Sequence, residues 1–94
     1  MSDLIKNVEH AKPFSVLDAV DYEEGATNSL TLAQQKGCKM TLFTIDKGEG
    51  MSSHAAPGDA MAFVLEGEAT ITIEGTPHDV KAGNAIVMPA GAKH

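Results

Sequence analysis

The stretch Gly83-Asn84-Ala85-Ile86-Val87-Met88-Pro89-Ala90-Gly91-Ala92-Lys93-His94 decides how the chain is read. Gly83 opens it at a turn, because glycine adopts positive φ without steric cost. Ala85, Ile86, Val87 and Met88 then make a short apolar strand, which Pro89 and Gly91 end in a second turn. His94 follows that turn. Turn, strand, turn and histidine form a unit that sets an imidazole at the end of a sheet.

The residues before it are strand-like as well. Ala69-Thr70-Ile71-Thr72-Ile73 alternates strictly, so its odd positions face a core and its threonines face outward or into a polar cavity. Short runs of β-branched and apolar residues occupy 29–34, 38–45, 60–65, 68–74, 78–80 and 85–88. The segments between them are turn chemistry: Lys36-Gly37, Lys47-Gly48-Glu49-Gly50, Pro57-Gly58-Asp59, Glu66-Gly67, Gly75-Thr76-Pro77 and Ala82-Gly83-Asn84. Strands of this length at this spacing predict an all-β sandwich or barrel. In 38–45 both parities are apolar, with Cys38, Met40 and Leu42 on one face and Phe43 and Ile45 on the other. A strand of that kind is covered on both sides, which suits a dimer interface. Residues 1–27 lack firm periodicity, and Pro13 interrupts them; we expect an extended segment or strands packing on the barrel of residues 28–94 or on a partner. An apolar stripe at helical spacing is missing over any stretch longer than about ten residues.

The chain has 94 residues and 43% hydrophobic content, enough for one small domain. Its core is thin, so association into a homodimer is expected. Thirteen acidic residues against seven basic ones leave a net charge of −6, which repels phosphate. Nucleic acid and membranes are therefore not expected as partners; a small-molecule ligand is. The apolar runs are far shorter than the roughly 20 residues that cross a bilayer, and the start of the chain does not read as a signal peptide, so a cytoplasmic location is expected. The one cysteine, Cys38, permits no internal disulfide.

Two stretches together resemble the cupin superfamily of small double-stranded β-helix barrels. Gly83, Pro89, Gly91 and His94 stand at the intervals of the family's second motif. Gly48, His54 and Gly67, around Phe63-Val64-Leu65-Glu66-Gly67, keep register with the first motif. Two anchors of the first motif differ: its second histidine is Ala56, and its glutamate is Ala60, or Met61 with the longer spacing. The resemblance covers residues 48–94 and implies an all-β jelly-roll barrel of two facing sheets with a central pocket. In the family the second motif continues past its histidine into a closing strand. The chain thus reads as a fragment, or as a barrel whose edge beside residues 85–88 is covered by an N-terminal or partner strand.

The resemblance also implies a divalent metal held by convergent nitrogen and oxygen donors, with positions left open for water or substrate. His54 and His94 are the matching ligands here. A further donor would come from Asp59, or from Gln34 or Gln35 on a strand; parity counts against Asp59, since one residue's shift turns a strand side chain to the other face. Zinc, iron, nickel and copper suit imidazole, and a carboxylate adds manganese. Met40, Met51, Met61, Met88 and Phe63 are candidates to shape the pocket, although core filling is the favoured reading of the thioethers.

Other reactive side chains read as ordinary. His10 and His78 read as surface, and Cys38 as a small buried hydrophobe. Ser52 and Ser53 cannot aim at their sequence neighbour His54, so no triad forms. Glu66, Glu68 and Glu74 read as solvated charges at strand ends. Two functions stay open: a metal-dependent dioxygenase, isomerase or decarboxylase acting on a small molecule, and a metal-free or weakly metal-binding module that senses or sequesters a ligand. The two missing ligands favour the second, and fold alone does not decide.

Overall fold

The computed structural model describes residues 4–94; the first three positions of the expected segment 1–27 lie outside them. Two compact units are resolved, Met1–Gly50 and Met51–His94. Both are built from strands.

The first unit is a hairpin, β1 (Thr27–Gln35) against β2 (Cys38–Ile45), closed by Lys36 and Gly37. Its register slips between Thr31 and Ala33, leaving Leu32 as the extra residue of a bulge. The bulged carbonyl finds a partner outside the ladder. The Lys6 N–H donates to Leu32 O at 2.8 Å, and the Asn7 side-chain amide donates to Thr31 O at 2.6 Å. Asn7 takes a left-handed φ of 69°, which asparagine tolerates better than most residues. These bonds tie the N-terminal segment down beside Leu32 and Ala33, which are buried together with Val20. The rest of that segment is bends and one 3₁₀ turn, Val16–Asp18, rather than the extended chain or strands expected.

At the open end of the hairpin a second strap holds residues 21–25. The Asp21 carbonyl accepts from the Asn28 amide and the Thr44 hydroxyl, which sit on facing positions of the two strands. Asp46 accepts from the Tyr22 hydroxyl on one oxygen and from the Gly25 N–H, at 2.7 Å, on the other. The Tyr22 hydroxyl and the Gly25 amide hold the Asp46 carboxyl below its ordinary pKa, and the same bond to Asp46 raises that of the Tyr22 phenol.

The second unit holds four strands, β3 (Ala60–Phe63), β4 (Glu68–Ile73), β5 (Thr76–Lys81) and β6 (Ala85–Met88). β3 pairs with β6, and the β4/β5 hairpin is nested between them in the chain. The six strands expected from the sequence are thus all present, within a residue or two at their ends. Their ladders are two-stranded. The predicted alternation holds in β4, where Ala69, Ile71 and Ile73 are half-buried and Glu68, Thr70 and Thr72 are exposed. Val80, facing Ala69, is the buried anchor of this hairpin.

One turn and one burial need correction. The β4/β5 turn is Glu74-Gly75, not Gly75-Thr76-Pro77, because Ile73 pairs with Thr76 and Thr72 with Pro77. Both turn residues have positive φ, 48° and 82°, the type I′ geometry that matches strand twist. Pro77 fits inside β5 because its pair with Thr72 is the second from the turn, one step beyond the hydrogen-bonded Ile73–Thr76 pair and itself non-hydrogen-bonded, where a missing N–H costs nothing. Cys38 is exposed rather than buried, as it starts β2 directly after the turn. Along β2, Met40, Phe43 and Ile45 are 46%, 47% and 39% exposed in the single chain, while Leu42 is half-buried. Among the described residues no helix is long and apolar enough to cross a membrane.

Candidate functional site

The site is built by the main chain before any side chain contributes. From Ala60 back to His54, and from Met88 on to His94, the two strands run equal distances beyond their ladder. Pairing resumes there in the same register: the His54 N–H donates to His94 O and the His94 N–H to His54 O, both at 2.8 Å. Residues that exchange both bonds face each other directly and carry their side chains on one side. The two rings accordingly meet edge to face, with centroids 4.5 Å apart and planes at 69°.

Turn chemistry makes this return feasible. Ala92 N–H donates to Pro89 O, and Gly91 at the third position of that turn has a φ of 78°, as a type II turn requires. The Gly91 N–H then donates to Ala56 O at 2.8 Å, drawing the segment across the loop after His54. Two acidic side chains fasten the same segment. Asp59 Oδ1 accepts from Ala90 N–H and Glu74 Oε1 from Lys93 N–H, each at 2.8 Å, while Lys93 O accepts from Glu74 N–H.

The rings are also oriented alike. His54 Nδ1 lies 3.2 Å from Ser52 O, and His94 Nδ1 lies 3.1 Å from Ala92 O. A carbonyl only accepts, so each Nδ1 carries a proton, a tautomer that leaves the lone pair of a neutral ring on Nε2. A backbone carbonyl on Nδ1 is the usual outer support of a metal-binding histidine. Two imidazoles held this close are the donors a shared ion would use. Further protein donors are lacking. Among the described residues no three His, Cys, Asp or Glu side chains are grouped to hold a metal. The donors present fit a loosely held ion completed by water or small-molecule atoms, not a closed protein cage.

The remaining sequence candidates are placed within their own units. Asp59 does not join the rings as an extra donor, because its loop turns the carboxylate onto the Ala90 backbone. Gln35 is the exposed last residue of β1, next to Gln34. Met61 and Phe63 share one exposed face of β3, whereas Met88 is half-buried on the other face of that ladder, opposite Ala60. Met51 and Met40 are exposed. His78 is exposed on β5, and His10 Nε2 lies 2.7 Å from Ile5 O. Reasoning from sequence misses Glu74: it reads as a solvated charge, and an acidic residue before the glycine of a tight turn is the only mark it leaves.

Comparison with known proteins bears on the family and the fold. Residues 41–94 match the sequence profile of the cupin domain. The chain is 40% identical to a conserved protein of unknown function from Streptococcus pyogenes, with a TM-score of 0.93 over 98% of this chain and 81% of that one. A cupin superfamily protein from Desulfitobacterium hafniense is 27% identical, with a TM-score of 0.88 over 95% of this chain and 82% of that one. A cupin 2 conserved barrel domain protein from Leptotrichia buccalis is 38% identical with a TM-score of 0.83; 85% of this chain matches 38% of that longer one. No curated protein of established function matches. The fold is therefore the all-β jelly-roll barrel expected from the two motifs.

Proposed function

The chain belongs to the cupin family, and from that premise we propose that its His54–His94 pair binds a small molecule, with a divalent metal ion held weakly by the two Nε2 atoms and no chemistry of its own. One observation carries this: two facing imidazoles, both with Nδ1 engaged by a carbonyl and Nε2 left free. An ion there offers open positions as a Lewis acid to the oxygen or nitrogen atoms of a ligand. Ala56 and Ala60, where the family places further donors, favour sensing or sequestering over catalysis. Zinc, nickel, copper, iron and manganese all suit such a donor set. The exposed Met40, Phe43 and Ile45 of β2 support a homodimer in this reading, to be checked by the mass of the protein in solution.

The test is calorimetric titration with zinc, alongside elemental analysis of protein purified without chelator. Wild type should take up one ion per chain and the His54→Ala, His94→Ala double variant none. Absence of uptake by wild type, or uptake that the double variant retains, removes the metal from the proposal.

A further inference from the structure

Glu74 has a backbone that its residue type does not favour. Its φ of 48° is left-handed, a conformation that glycine, asparagine and aspartate adopt more readily than glutamate. Strain kept in place asks what the side chain does in return. Here the carboxylate reaches past the turn and accepts the Lys93 N–H at 2.8 Å, while the Glu74 N–H donates to Lys93 O at 2.8 Å. It makes no ion pair with the Lys93 ammonium: the one ion pair among the described residues joins Lys12 and Glu9. Both backbone groups of Lys93 are thus held by one residue, and both backbone groups of His94, next along the chain, are held by His54.

We propose that Glu74 is a positioning residue of the histidine pair: from the tip of the β4/β5 hairpin it clasps Lys93 on both sides and so fixes the His94 ring against His54. Shorter turn residues would satisfy the hairpin but could not span to Lys93. The choice of glutamate serves the neighbouring segment at the hairpin's expense. The inference rests on the reading of the pair as a binding site only for its functional consequence; the placement itself is testable without metal.

Two variants separate the roles. Glu74→Asn suits the left-handed turn and keeps the main-chain bond to Lys93 O, but its side chain is one methylene shorter and gives up the bond to the Lys93 N–H, whereas Glu74→Gln keeps both reach and acceptor oxygen. Metal-free protein is followed by NMR, reading the ring-to-ring contact of His54 and His94 and the exchange of the Lys93 amide; zinc affinity is then titrated. In Glu74→Asn the ring contact should be lost and Lys93 exchange should rise at least about tenfold, with β4 and β5 amides still protected. Zinc should bind about tenfold more weakly, as when the outer support of a metal ligand is removed. Glu74→Gln should stay close to wild type in all three. The proposal is overturned if Glu74→Asn retains the ring contact and the slow Lys93 amide, or if Glu74→Gln loses them equally. Should wild type take up no zinc, the metal reading fails while the NMR result still decides the role of Glu74.

Discussion

Two irregular segments are strapped to hairpins by exposed carboxylates, one in each unit, and they serve different ends. Asp46 holds residues 21–25 through a tyrosine hydroxyl and one backbone amide. Asp59 and Glu74 hold residues 89–94 through backbone amides alone. The first strap carries a side-chain donor, and the pKa values of both partners shift in response. The second fixes a histidine beside another. A surface carboxylate that accepts a main-chain N–H sets where the chain runs. What that placement is for depends on the residue next to the amide.

The largest effect should come from breaking the turn on which the second strap depends. A Cβ at Gly91 would meet nothing within 4 Å, so Gly91→Ala is opposed by backbone conformation alone. The left-handed φ should cost about 1–2 kcal/mol, read as a lower denaturation midpoint. The same variant should loosen the pairing of His54 with His94 and weaken zinc uptake. Equal stability in the two proteins would show that the segment reaches His54 without the turn.

Asp59→Ala removes the acceptor of Ala90 N–H but leaves Glu74 in place. Its cost should be smaller, about 0.5–1 kcal/mol, as for one exposed hydrogen bond. If the two straps are alike in kind, zinc affinity should fall less than in Glu74→Asn, because Asp59 acts further along the segment from His94. A larger fall would make Asp59, not Glu74, the residue that sets the ring.

How much of this the sequence shows follows from range. The six strands and the strict alternation of residues 69–73 rest on neighbours in the chain, and they are legible. The pairing of His54 with His94 is legible only through motif spacing. The straps are not: Glu74 and Lys93, or Tyr22 and Asp46, are joined across turns whose geometry fixes them, and nothing local shows that a carboxylate will bond a distant amide. The Glu74-Gly75 turn escapes a reading from composition for a related reason. Gly75, Thr76 and Pro77 all favour turns, yet the cross-strand register, set by Ile73 against Thr76, outweighs composition.

Asp46 gives the first strap a pH dependence. Its pKa is lowered on folding, so the stability it contributes is fully present above the ordinary carboxylate range and is lost as pH falls through the lowered value. The Tyr22 pKa is raised, so its contribution is fully present below the ordinary phenol value and is lost as pH rises through the raised one. Across neutral pH both are intact. The stability gap between wild type and Asp46→Asn should therefore be flat there and close in acid, as followed by denaturation at stepped pH. A gap that widened in acid would contradict the assigned bonds.

The smallest effect, and the finest cut, is Tyr22→Phe. It removes the largest cause of the Asp46 shift but leaves the Gly25 N–H on the other oxygen. The Asp46 carboxyl should then titrate closer to its ordinary value while staying below it, as an NMR titration of that carboxyl would show. Stability should change little, because the hydroxyl and the carboxylate are both exposed and water replaces the lost partner. The His54–His94 contact should not move. A shift that vanished entirely would mean that the Gly25 amide holds Asp46 only while tyrosine keeps residues 21–25 in place, so that the two bonds act as one clasp. A shift unchanged from wild type would instead leave the Gly25 amide as the sole cause, and both straps would then work through backbone amides alone.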